Sequence, residues 1–221
     1  HEDRVKVLKD FATQPQDYWL GEPLHRSQVV AAFFRDRQFL PVWLDEKGAW
    51  GADADALLTE IRESTRHGLI PAEYHLKQLE SMKFEGEALT ADQIGAVEIF
   101  LTDAFLALGQ HLSSGRVAPK SINPGWTVRR NLPDMKKQLE TALGGPGVSD
   151  TFTLLTPTNS LYRSLRTVLE TYQRLAAQAP FPVIENGPTL KPGGKDKRVP
   201  SLRQRMMREG YLIGKPATGE R

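Results

Sequence analysis

The sequence predicts a mainly α fold: an irregular helical body, a Pro/Gly-rich crossing segment and one further helix near the end. Three observations carry this reading. Apolar residues recur three or four apart in one segment after another, cap residues stand where those segments begin, and glycine or proline stands where they stop.

A first helix is expected from Ser27 to Arg37, with Val29, Val30, Phe33 and Phe34 on one side and Ser27 as its cap. Phe39-Leu-Pro-Val-Trp-Leu44 reads as extended, because Pro41 restrains its predecessor and has no N–H to donate. Asp45-Glu-Lys-Gly48 is a turn. Asp53 is placed to cap a second helix through Leu57, Leu58 and Ile61, and Gly68 suits a left-handed stop. A short helix is expected over Pro71 to Leu79, with proline in the tolerated first turn.

Thr90-Ala-Asp-Gln93 is a capping box. The helix it opens carries Ile94, Val97, Leu101, Phe105, Leu108 and Leu112 on one face and Ile99, Phe100 and Leu106 on others, as a helix at the centre of a domain does. Gly115 ends it, and Val117 to Arg130 is irregular. Asp134 to Leu143 forms a shorter helix stopped by Gly144-Gly-Pro-Gly147. From Asn159 to Gln178, Leu161, Tyr162, Leu165, Val168, Leu169, Tyr172 and Leu175 line one face, so this helix is expected to pack on the central one. Ala179 to Ile184 and Gly187 to Gly194 are rich in Pro and Gly, the mark of a boundary. Val199 to Leu212 is the last helix, with Val199, Leu202, Met206 and Leu212 facing inward and a stop near Gly210. The expected organisation is a helical domain over 1–183, a linker over 184–198 and the first helix of a further module over 199–221.

Hydrophobic residues make up 39% and charged residues 25%, which excludes a fibrous repeat or wholesale disorder. The longest apolar runs, such as Val29 to Phe34, are six residues, against roughly 18 for a membrane span. Residues 1–183 carry 20 basic and 23 acidic side chains and residues 184–221 carry nine and four, so a basic tail follows a mildly acidic body. Such a tail attracts polyanions but is most often a solvated linker. No recognition motif accompanies it, and nucleic acid is not expected as a partner.

Cysteine is absent, which rules out disulfides, thiolate metal sites and a Cys nucleophile within these residues. The histidines stand at 1, 25, 67, 75 and 111 without ligand-pair spacing, so neither a metal site nor a cofactor is expected, and His67 reads as a helix-end residue satisfying last-turn carbonyls. Glu60 and Asp103 make a carboxylate pair only on paper; Asp103, inside an apolar helix, reads as a buried acid bonded to backbone or arginine. There is no GxSxG elbow, Walker loop or dinucleotide fingerprint. No catalytic residue is expected. One candidate binding group remains: Arg116, Lys120, Trp126, Arg129 and Arg130, cations and an aromatic in irregular chain, suited to stacking on sugars and pairing with carboxylates. The competing reading of that group is a tryptophan covering the core with solvated arginines around it.

Several segments together resemble the large periplasmic murein L,D-transpeptidases, which carry a helical scaffold domain interleaved with a peptidoglycan-binding module. They are Arg37-Gln-Phe-Leu-Pro-Val-Trp43; His67-Gly-Leu-Ile-Pro-Ala-Glu-Tyr74; Leu101-Thr-Asp-Ala-Phe-Leu-Ala-Leu108 with Gly115-Arg-Val117; Leu155-Thr-Pro157 with Tyr162 and Leu165; and Pro188-Thr-Leu-Lys-Pro-Gly193 followed by Val199-Pro-Ser-Leu-Arg-Gln-Arg205. The resemblance implies a non-catalytic scaffold in the periplasm or cell envelope, partnered by peptidoglycan and by its own catalytic domain. It implies a catalytic cysteine in a Ser-x-Gly-Cys segment that these residues do not contain, and it makes Val199 to Gly210 the first helix of the peptidoglycan-binding module.

Overall fold

The computed structural model describes residues 2–84, 89–127, 132–178 and 180–213. The chain divides into two units, His1–Leu169 and Glu170–Arg221. The described residues form ten α-helices, two 3₁₀ turns and one two-stranded ribbon, so the fold is mainly helical. In chain order the larger unit contains α1 (Glu2–Thr13), β1 (Tyr18–Trp19), β2 (Glu22–Pro23), α2 (Ser27–Asp36) and α3 (Ala52–Glu63). The 3₁₀ turns Ser64–His67 and Pro71–Tyr74 lead to α4 (Leu76–Phe84), and then α5 (Ala91–Ser114), α6 (Pro119–Ile122), α7 (Met135–Gly144), α8 (Gly147–Leu155) and the start of α9 (Ser160–Ala176) follow. β1 and β2 pair antiparallel, Tyr18 opposite Pro23 and Trp19 opposite Glu22.

α5 is the axis on which the larger unit is built. Its capping box forms as the sequence predicts: Thr90 accepts from the Gln93 N–H while the Gln93 side chain accepts from the Thr90 N–H. Every residue from Ile94 to Gly109 is buried, so the helix has no solvent stripe and must be covered on all sides. α1, α2, α3, α4, α7 and α8 supply that cover. Close approach is possible where α5 lacks a side chain. A Cβ at Gly95 would lie 2.4 Å from Val7 Cγ1 on α1, and one at Gly109 would lie 2.4 Å from Met135 Cε on α7.

A helix buried all round still carries polar groups, and each finds partners. Glu98 accepts N–H bonds from Val42 at 2.8 Å, Trp43 at 3.0 Å and Leu44 at 2.9 Å, and the Trp43 indole donates to Thr102 Oγ1 at 2.9 Å. The segment expected to be extended is therefore held N–H inward on one carboxyl group, and Phe39 instead takes a left-handed φ of 63°. Burial pushes the Glu98 carboxyl up to about 7, against the downward pull of the three N–H donors. Asp103 accepts from the backbone N–H of His25 at 3.0 Å and of Arg26 at 2.6 Å, and from His75 Nε2 at 2.9 Å. It is the buried, backbone-bonded acid read from the sequence.

Several local expectations are corrected. Ser27 does not cap α2: Arg26 is the cap residue, and the Ser27 hydroxyl donates to Asp17 Oδ1 at 2.7 Å. Asp53 lies inside α3, whose cap residue is Gly51, and its carboxylate accepts from the Val148 N–H at 3.0 Å, tying α3 to α8. The helix expected over 71–79 is split, because His75 takes a left-handed φ of 60° between the 3₁₀ turn and α4. Within the larger unit α9 does not bury its apolar face on α5: Leu161, Leu165 and Val168 are all at least half exposed. α1 and α8 have no counterpart in the expectations, yet Leu8, Phe11, Val148 and Phe152 from them are core residues.

In the second unit, α10 (Val199–Arg208) follows a stretch, 180–198, that has no helix or strand among its described residues. Arg198 organises that stretch, donating to the Pro188 carbonyl at 2.7 Å and pairing with Asp196 at 2.9 Å. The Arg208 guanidinium lies 4.5 Å from the Phe181 ring centroid and donates to the Pro180 carbonyl. Val199, Leu202 and Met206 are half-buried, whereas Leu212, expected to face inward, is exposed.

Candidate functional site

The last turn of α5, the first 3₁₀ turn and the start of α9 line an open cavity of about 630 Å³ within the larger unit. Leu69, Leu112 and Pro157 give it apolar wall, and His67, His111, Arg116 and Tyr162 give it polar wall. Three sequence features deliver these side chains. Gly68, at φ 73°, closes the first 3₁₀ turn and sets His67 at its end. Gly115, at φ 79°, stops α5 four residues after His111 and passes the chain to Arg116. Asn159 accepts from the Tyr162 N–H at 2.9 Å and so helps begin α9.

Each of the two lining histidines is bonded to a tyrosine. His67 Nδ1 lies 2.6 Å from Tyr162 Oη, the rings stacked at 6.1 Å, and His67 Nε2 accepts from Arg66 Nε at 3.0 Å. An arginine N–H only donates, so Nε2 is the lone-pair nitrogen and the neutral ring carries its proton on Nδ1. Burial, assisted by the charges of Arg166 and Arg66, holds His67 down at about 4. Near neutral pH it therefore donates from Nδ1 to Tyr162 Oη, and the Tyr162 O–H remains uncommitted to His67.

His111 Nδ1 lies 2.8 Å from Tyr74 Oη. Tyr74 is fully buried, so its O–H needs an acceptor, and donation to Nδ1 leaves the second ring nitrogen of His111 as the N–H donor. Burial raises Tyr74 to about 12, and burial with the charges of His25, Arg26 and Arg116 lowers His111. Behind this pair the His25 ring lies 6.3 Å from both His75 and His111, and its Nε2 is 2.7 Å from the Glu73 carbonyl. Three histidines that are far apart in sequence thus form one cluster with Tyr74, anchored through His75 on Asp103. Among the described residues, no group of three or more His, Cys, Asp or Glu is placed to hold a metal ion.

Of the five residues singled out from the sequence, the structure brings only Arg116 to this cavity, where its guanidinium pairs with Glu73. Lys120 is on α6 and Trp126 follows it in an exposed stretch, neither among the lining residues. Arg129 and Arg130 lie outside the described residues. Trp126 is 42% exposed, so it does not cover a core. Sequence reasoning missed His111 and Tyr162, and it put His67 on last-turn carbonyls when its ring bonds Tyr162 and Arg66. Tyr162 and His67 are 95 positions apart, so no local spacing could have paired them. Glu60 is likewise not half of a catalytic pair: it binds Arg66 at 2.9 Å, while Asp103 is occupied by α2 and His75.

A family model described as Scaffold domain matches residues 28–169, a stretch that holds α2 from its second residue, α3 to α8, the beginning of α9 and the whole cavity lining. Neither the curated proteins nor the solved structures gave a match to the chain.

Proposed function

Because the chain belongs to the Scaffold domain family through residues 28–169, we propose that it is the scaffold region of a cell-wall L,D-transpeptidase, positioning a catalytic domain on peptidoglycan in the periplasm or cell envelope. The observation that carries the reading is the family match on a chain without cysteine. The wall-enzyme reaction suits a thiolate nucleophile, and no residue here can provide one. Four of the five resembling segments, Arg37 to Trp43, His67 to Tyr74, Leu101 to Val117 and Leu155 to Leu165, fall inside the matched stretch. The exposed apolar face of α9 supports the reading as well, since a positioning element must offer surface that its own core does not use. In this account Val199 to Gly210 begins the wall-binding module, and the group read from the sequence, Arg116, Lys120, Trp126, Arg129 and Arg130, contributes wall contact. The test is to read the gene past Arg221: a Ser-x-Gly-Cys segment is expected downstream, and a complete gene without one would overturn the proposal.

A further inference from the structure

The geometry points to the cavity at the end of α5 as a binding site for a carboxylate carried on a small apolar body. Its polar wall carries two spare protons. The Tyr162 O–H is left over once His67 donates to Tyr162 Oη, and the second ring nitrogen of His111 is left as an N–H once Tyr74 donates to Nδ1. Neither has an acceptor among the described residues. One turn along α9 from Tyr162, Arg166 has no ion-pair partner among the described residues, and its Nε is buried without an acceptor. The other guanidiniums nearby are spoken for, Arg66 by Glu60 and Glu63 and Arg116 by Glu73. Arg166 is not itself a lining residue, but its charge acts on both His67 and Tyr162; a spare phenol proton and a spare imidazole N–H under that positive charge suit a carboxylate and not a cation.

The apolar wall of Leu69, Leu112 and Pro157 calls for hydrocarbon behind the carboxylate, and about 630 Å³ accommodates a ligand of a few hundred daltons. Both a short peptide ending in a free carboxylate and a short aliphatic acid present that chemistry. This site does not rest on the wall-enzyme reading.

The test is calorimetric and NMR titration of the chain with N-acetyl-alanyl-alanine and with hexanoate, each beside its primary amide. Saturable binding of at least one acid, with its amide weaker by about tenfold or more, is expected. The acid that binds identifies the source. Tyr162→Phe and Arg166→Met are each expected to weaken it by a similar factor, while Arg163→Met, an exposed neighbour on α9, leaves it unchanged. Circular dichroism of each variant confirms the fold. The bound acid should also move the titration of His67 upward, because it screens the Arg166 charge that helps hold it down. No saturable binding, equal binding of acid and amide, or binding indifferent to both substitutions would overturn the assignment.

Discussion

Replacing Asp103 by asparagine tests the arrangement that holds the histidine cluster in place. Asp103 Oδ1 accepts from the Arg26 N–H, and Oδ2 accepts from both the His25 N–H and His75 Nε2. Asparagine keeps one acceptor and puts an NH₂ in the other position. With its oxygen on the Oδ2 side, two bonds survive without their charge assistance, and the NH₂ faces the Arg26 N–H across a gap of 2.6 Å in the native structure. Two buried donors are then unsatisfied, at about 1–3 kcal/mol each, so the loss is roughly 2–6 kcal/mol. For a chain of this size that corresponds to a fall in Tm of roughly 4–24 °C. Urea unfolding followed by circular dichroism and tryptophan fluorescence measures it, with Asp150→Asn, at an exposed position, as a control within about 0.5 kcal/mol of wild type. A loss under 1 kcal/mol, with the His25 and His75 resonances unmoved, would mean that Asp103 does not hold this cluster.

Glu98 gives a pH dependence. Its carboxyl is raised in the fold from 4.5 to about 7, so its contribution to stability is full below 4.5 and is lost as pH rises through about 7. Unfolding free energy should carry a decline between pH 5 and 8, of at most about 3 kcal/mol, that Glu98→Gln lacks; parallel profiles for the two proteins would contradict this. Gly95→Leu should drive a side chain into Val7 and cost at least about 1–3 kcal/mol, read as a lowered Tm, and an unchanged Tm would mean that α1 does not dock on α5 as described. In the ligand-free chain, NMR titration should find His67 still neutral at pH 5.5, with its midpoint near 4; a midpoint at 6.5 would place the ring in solvent.

How far the fold was legible depended on what each signal measures. The capping box at Thr90, the stops at Gly68 and Gly115 and the apolar run of α5 are local devices, and all of them form. α1 was hidden because its charged residues outnumber the few positions, Leu8, Phe11 and Ala12, that reach the core. α8 was hidden by a Gly-Gly-Pro-Gly approach and by threonines that lower its intrinsic helix propensity. The regular face of α9 was visible, but periodicity reports that a face exists and not what covers it. Asp53 and Ser27 are good cap residues by type, yet tertiary partners, Val148 and Asp17, took their oxygens. The cavity was the least legible part, since it joins residues from three segments and its chemistry lies in which nitrogen accepts and which proton is spare.

Under the proposed function, these 221 residues hold and place a reaction that a cysteine elsewhere performs. Intact mass after incubation with a carbapenem, which acylates such transpeptidases at their thiol, tests it most directly when the chain is compared with the product of its whole gene. The chain should keep its mass, and the whole product should gain one adduct on a cysteine beyond Arg221. A stoichiometric adduct on the chain, or none on the whole product, would contradict the account.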